Sequence, residues 1–328
     1  MCKKMFCVLL TFAIAIITSS VRASETNIKV PDAGLYFSFW DAQRELLIFY
    51  RDAHTPDDAA VKVYAGSTLR MAIFPLKDFP SASELGVWAV SALPNGDIAL
   101  SGVLDFGNQQ TKLVLLTYAA DGSLKKLWDM QTRHNYNLVA DGQGNIYAFG
   151  FPVELGDSAQ SNYMMLAKYS PSGKVLREFL PRKGYAHLAK ATMLDPSNGQ
   201  SALLIWHDRL VLYFANACQV LWFDTDGNLL RTVNLDSLLK SVAKKNKSES
   251  ARIERFSLTA EGNYLAQVSL LSTDTSNVVL QVSQDGDKWQ TLTSNAEQVL
   301  GIDSQNQYIV LRTGEPNQVT LAKCTRLP

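Results

Sequence analysis

The chain is short of cysteine and histidine and carries no excess of either charge, and each shortage removes a class of function. Lysine plus arginine equal aspartate plus glutamate at 31 each. No global field therefore draws the protein toward nucleic acid or anionic lipid, and a nucleic-acid partner is not expected. Of the four cysteines, only Cys218 and Cys324 lie beyond the N-terminal segment, too few for a disulfide-held scaffold. They are expected as small buried hydrophobes on strands, although an oxidising compartment would let them pair. The four histidines, His54, His134, His187 and His207, show no His-x-x-x-His spacing, and Cys-x-x-Cys is absent, so no metal site built from a local motif is expected. Nucleophile-elbow, phosphate-cradling and dinucleotide motifs are missing too, and no cofactor is expected.

After the first two dozen residues, no apolar run approaches the ~20 residues needed to cross a bilayer, so no transmembrane segment is expected in the mature chain. The N-terminus has the order of a secretory signal: Lys3 and Lys4, an apolar stretch from Met5 to Ile17, then Val21-Arg-Ala23. Cleavage is expected after Ala23, leaving a secreted or periplasmic protein. Cys7 lies inside the apolar stretch and not after it, which argues against lipid attachment.

What the chain does contain is strand signal. Leu35 to Trp40, Glu45 to Tyr50, Lys112 to Tyr118 and Val278 to Val282 are rich in leucine, β-branched and aromatic residues and end in turn residues. Short turns recur between such runs, at Asp121-Gly122, Ser172-Gly173, Asp226-Gly227 and Asp285-Gly286, the signature of a blade array. Paired, they define a unit of four strands a to d, with tight a-b and c-d turns and longer b-c and d-a connections. The clearest copy runs from Val87 to Met130, the next from Leu138 to Phe179, and others fall near 188–234, 253–293 and 297–326, with a first unit at Leu35 to Leu76. In the fourth unit Leu203 to Phe214 competes with an earlier register for strands a and b. The last unit is one strand short, and Asn27 to Val30 has no unit of its own. Pairing the two closes a ring and removes exposed edges. The expected fold is all-β: a six-bladed β-propeller of four-stranded antiparallel blades in a single domain over 24–328, closed by the N-terminal strand.

Ala140-Asp-Gly-Gln-Gly-Asn-Ile-Tyr147 followed by Lys168-Tyr-Ser-Pro-Ser-Gly-Lys-Val-Leu176 resembles the NHL-type repeat of NHL-like and TolB-like propellers. There a Gly-Asn-Ile-Tyr strand leads to a Phe/Tyr-x-x-x-Gly-Lys hairpin. The match is good in one unit and partial in three others, and the Asp-x-x-Asn-x-Arg segment usual between the halves is replaced by Pro152 to Gln160. The resemblance implies the fold and little about the ligand.

One segment, about 235–254, departs from the strand pattern. Leu235, Leu238, Leu239 and Val242 fall at helical spacing, with Asn234 placed as N-cap and Asp236 in the first turn. A short capping helix is expected, with Lys240, Lys244, Lys245 and Lys247 in water.

The candidate ligand-binding residues come from the starts of the innermost strands. His134, in Arg133-His-Asn-Tyr136, and His187, in Arg182-Lys-Gly-Tyr185-Ala-His187, each precede a strand a and have an arginine and a tyrosine nearby. Such a cluster at the channel mouth suits an anion, or an imidazole acting as a base. Asp105 and Asp157 in b-c loops would share that face. The tryptophans are scattered among strands, as inter-blade packing requires. The resulting expectation is an exported, non-catalytic propeller that binds a protein partner or small extracellular ligand through its loop face. The alternative is a propeller hydrolase, lactonase-like or lyase-like, with a site drawn from His134, His187 and the nearby acids, with or without a hard cation held by converging loop carboxylates.

Overall fold

The computed structural model describes residues 24–29, 37–130, 133–152, 163–188, 201–271, 276–294, 298–313, 318–324 and 327. The proposed signal segment therefore falls outside the described residues. Strand β1 (Ser24–Lys29) opens the chain, and β2 (Phe37–Asp41), β3 (Leu46–Tyr50), β4 (Val61–Ala65) and β5 (Thr68–Ile73) form the first blade. A short helix α1 (Pro75–Asp78) leads to the second blade, β6 (Glu84–Ala92), β7 (Ile98–Asp105), β8 (Thr111–Tyr118) and β9 (Leu124–Asp129). The third consists of β10 (Arg133–Ala140), β11 (Ile146–Pro152), β12 (Met164–Tyr169) and β13 (Val175–Pro181), and the fourth of β14 (Ala202–Trp206), β15 (Arg209–Phe214), β16 (Gln219–Asp224) and β17 (Leu229–Asn234). After helix α2 (Asp236–Lys245) comes the fifth, β18 (Ser250–Leu258), β19 (Tyr264–Leu271), β20 (Ser276–Val282) and β21 (Trp289–Ser294). The sixth is β22 (Gln298–Ile302), β23 (Tyr308–Thr313) and β24 (Gln318–Cys324), completed by β1.

This is the expected six-bladed propeller, with every pairing inside a blade antiparallel. Closure is as the orphan strand suggested: Asn27 pairs with Thr320 and Ile28 with Val319. Ile28, only 1% exposed, packs with Leu47, Phe49, Leu311 and Val319, so the closing strand also joins the first and last blades. In the fourth blade the later register holds, because Leu203 pairs with Leu212 and Trp206 with Arg209 across a two-residue turn. The earlier start at residue 188 is thereby corrected. Cys218 and Cys324 belong to separate hydrophobic clusters, in the fourth and sixth blades.

The recurring Gly of the c-d turns answers two demands at once. Gly122, at φ +85°, donates its N–H to Ala119 O at 2.8 Å while Ala119 N–H returns to Ser123 O at 2.8 Å. That is a type I turn ended by a left-handed residue, a position where glycine has no steric cost. The same glycine also sits against the outer strand of the preceding blade. A Cβ on Gly122 would crowd Ala72 O, on Gly173 it would overlap the Trp128 indole, on Gly227 the Phe179 ring, and on Gly286 Val233. The turn repeat is therefore also the repeat of the blade-to-blade contact.

Helix α2 is a core element. Leu235, Leu238, Leu239 and Val242 are buried with Val268, Val278 and Leu280 of the fifth blade. It begins one residue later than expected: Leu235 takes the N-cap position, and Asn234 Oδ1 accepts the N–H of Asp236 at 2.8 Å. Of the basic strip, Lys240 pairs with Asp236 at 2.6 Å and Lys245 lies over the Trp289 ring. No helix among the described residues is long and apolar enough to cross a membrane.

Candidate functional site

The innermost strands β2, β6, β10, β14, β18 and β22 surround a central channel, and each runs from the loop face to the tight a-b turn. Two chambers occupy the channel. The one at the loop end, about 480 Å³, is lined by the strand starts, and the one at the turn end, about 330 Å³, by the strand ends. Phe39, Trp40, Leu204, Ser257 and Leu300 line both and form a mostly apolar waist between them.

Backbone irregularity decides which side chains reach the loop-end chamber. In four of the innermost strands, pairing with the neighbouring strand skips one residue, at Trp88, Tyr136, Glu254 and Leu300. A β-bulge breaks the alternation of faces and re-aims the residues on either side of it. In the third blade Tyr136 and Asn137 consequently both line the chamber. Behind the lining, the Tyr136 ring stacks on the bulged residue of the adjacent blade, Trp88, with centroids 5.2 Å apart. His134 packs onto Trp88 at 4.7 Å and Phe151 at 5.4 Å, completing an aromatic wall on one side.

The opposite side is polar. Arg255, which follows the bulge of the fifth blade, lines the chamber and donates from Nη1 to Ser38 O at 3.4 Å. Burial lowers its pKa, countered by the neighbouring Tyr50 hydroxyl and Glu254. Burial likewise raises the pKa of Tyr50, against the pull of Arg255. Ser38 Oγ donates to Gln298 Oε1 at 3.2 Å, and Gln267 Oε1 accepts Val299 N–H at 3.2 Å, linking the first, fifth and sixth blades around the mouth. Glu254 turns to Arg252, whose Nη2 lies 2.8 Å from its carboxylate.

The residues marked from sequence fall into three groups. His134 and Tyr136 belong to the aromatic wall. Arg133, one residue earlier, is 7% exposed and lies within its own blade: its guanidinium donates to Met164 O at 2.8 Å, Met165 O at 2.7 Å and Asn135 Oδ1 at 3.2 Å. Arg182 is buried against the Tyr163 ring, and Tyr185 meets Phe214 edge-on at 5.2 Å, in the short 3-10 turn Arg182–Leu188 between blades. His187 is the last residue but one of that turn, and its side chain lies outside the described residues, as does all of Asp157. Asp105 Oδ1 accepts Gly107 N–H at 2.7 Å and shapes its b-c loop. Among the described residues, no three His, Cys, Asp or Glu side chains come close enough to hold a metal ion.

Sequence reasoning missed Trp88, Tyr50 and Arg255. A blade-against-blade alignment carries a signal for two of them, because Trp88 and Tyr136 hold the same bulge position and Arg255 the position after it.

No protein-family model matches the chain, and no curated protein matches it in sequence. Solved structures do match in fold. A candidate exported protein of Bacteroides fragilis superposes with a TM-score of 0.54 at 9% identity, over 92% of this chain and 95% of that one. A member of the DUF4221 family from Bacteroides vulgatus gives 0.51 at 10% identity, over 92% and 96%. A streptogramin B lyase gives 0.48 at 12% identity, over 94% and 98%. The likeness is one of fold. The first two matches take in nearly the whole of each chain, so the architecture is shared.

Proposed function

We propose that the chain is an exported, non-catalytic propeller that binds a small extracellular ligand at the loop-end mouth of its channel, and that this ligand combines a flat ring with an anionic group. One observation carries the reading: the Tyr136 ring, backed by Trp88 and His134, shares a chamber of about 480 Å³ with the Arg255 side chain, two blades further round the ring. An aromatic face offers stacking, and a guanidinium fork offers paired charge-assisted hydrogen bonds to a carboxylate. The volume lies within the usual range for small-molecule sites, ~300–1,000 Å³. Of the candidate residues, Tyr136 acts at the ligand and His134 stacks behind it, while Arg133, Arg182 and Tyr185 hold the surrounding backbone and packing. Export rests on the Lys3-Lys4 and Met5 to Ile17 pattern.

The test is a melting-temperature screen of the purified protein against benzoate, phenylacetate and indole-3-acetate, each beside its neutral amide. An acid should raise the midpoint more than its amide. Arg255→Gln should remove that difference, and Tyr136→Ala should weaken both. Equal shifts for acids and amides, or none at all, would refute the reading.

A further inference from the structure

The turn-end chamber has a different character, and nothing in the loop-end reading accounts for it. Two indoles stand at its wall from blades three places apart in the ring of six: Trp40 near the end of β2 and Trp206 at the end of β14. Each is pinned by a neighbouring blade, Trp40 Nε1 donating to Ile302 O at 3.4 Å and Trp206 Nε1 to Ala260 O at 3.3 Å. Pinned rings cost little entropy when a ligand arrives. The second and third blades bring only the small and medium side chains of Ser91, Ala92, Val139 and Ala140, with no aromatic ring between the indoles.

The charged groups at this end are already satisfied by the turns. Asp41 accepts the N–H groups of Gln43 at 3.0 Å and Arg44 at 3.1 Å, and the Arg44 guanidinium at 2.7 Å. Asp303 accepts Gln305 N–H at 2.9 Å, Gln307 N–H at 2.8 Å and Lys323 Nζ at 2.9 Å. Thr259 Oγ1 accepts Asn263 N–H at 3.2 Å. A charged ligand would have to displace these contacts or enter without a counter-charge, and both are costly. Apart from the His207 imidazole, edge-on to Trp206 at 4.3 Å, and the Ser91 and Ser257 hydroxyls, carbon surface is what remains on offer, from Trp206, Leu204, Ile205, Leu258 and the waist.

We propose that the turn-end chamber is a second ligand site, for a small neutral ring compound held between aromatic and aliphatic walls. It meets the loop-end chamber at the waist of Phe39, Trp40, Leu204, Ser257 and Leu300, and it takes ligand independently of the mouth above that waist.

The probe is N-phenyl-1-naphthylamine, neutral and fluorescent in apolar surroundings, titrated into the purified protein. 8-Anilinonaphthalene-1-sulfonate serves as competitor, with the same rings and an added charge. Expected is saturable one-site binding that excess sulfonate does not displace. Trp206→Ala and Leu258→Gln should each weaken it by about tenfold or more, the loss of more than ~1.4 kcal/mol of apolar contact. Tyr136→Ala should leave it unchanged. Leu258→Gln, a change of similar volume, keeps the test intact if Trp206→Ala does not fold. Non-saturable binding, displacement by the sulfonate, or a loss confined to Tyr136→Ala would each overturn the proposal. The last result would place the probe in the loop-end mouth without touching the reading of that mouth.

Discussion

Gly150 lies directly beneath the carbonyl oxygen of His134, so close that a Cβ at Gly150 would overlap that oxygen. The two are on adjacent strands of the third blade, at the point where pairing skips Tyr136. The second blade repeats the arrangement, since a Cβ on Gly102 would overlap Gly86 O where pairing skips Trp88. These glycines have no positive φ to explain them. They are there because the bulged strand bends onto its neighbour, and the bulge presents the ring to the channel.

Gly150→Ala should therefore destabilise the protein by at least about 2 kcal/mol, an overpacking cost against backbone that cannot rotate away. Denaturant unfolding of Gly150→Ala beside Gly142→Ala checks this, because nothing lies within 4 Å of a Cβ at Gly142. Equal midpoints for the two variants would show that the bulge yields freely.

Gly173 and Trp128 should be coupled. Gly173→Ala meets both an unfavourable φ of +85° and the indole of the preceding blade. In a Trp128→Ala background the second obstacle is gone, so the cost of Gly173→Ala should fall by about 1 kcal/mol. A double-mutant cycle of unfolding free energies measures it, and additive effects would mean that the blades do not interlock at this turn.

Helix α2 should behave as core on one face and as solvated surface on the other. Leu239→Ala, at a site 5% exposed, should cost about 2–5 kcal/mol. Lys244→Ala, on the opposite side, should stay within about 0.5 kcal/mol. Thermal melts of both variants decide whether the insertion closes the core or hangs from it.

Acid stability should depend on Asp303. Burial raises its pKa, but the N–H groups of Gln307 and Gln305 and the Lys323 ammonium overcome this and hold it below the ordinary value. A carboxyl group depressed in the folded state contributes stability that is complete above its unfolded pKa of about 3.9 and is lost as pH falls through the folded value. Asp303→Asn should lower the unfolding free energy at pH 7 by about 1–3 kcal/mol and make the decline below about pH 4 shallower. Parallel melting curves for both proteins across that range would reveal it.

The ring is written along the chain: the turn repeat encodes six blades, the unmatched N-terminal strand the closure, and the spacing of Leu235, Leu238, Leu239 and Val242 the helix. These are local signals, since a type I turn, a period of two and a period of 3.6 are each written within a dozen residues. The channel was legible only as a location. His134 and Tyr136 stand near a strand start, and so does Arg133, which faces the interior of its blade because adjacent strand residues point to opposite sides. Only the tertiary structure decided which side chains meet. A bulge shifts the parity of a strand without a local mark of its own, and its signature, Gly150 beneath His134, appears only once the two strands are paired. Arg255 and Tyr136 are brought to one chamber by the closing of the ring, as are Trp40 and Trp206 to the other, and no pattern along the chain encodes a contact that exists only when six blades share an axis.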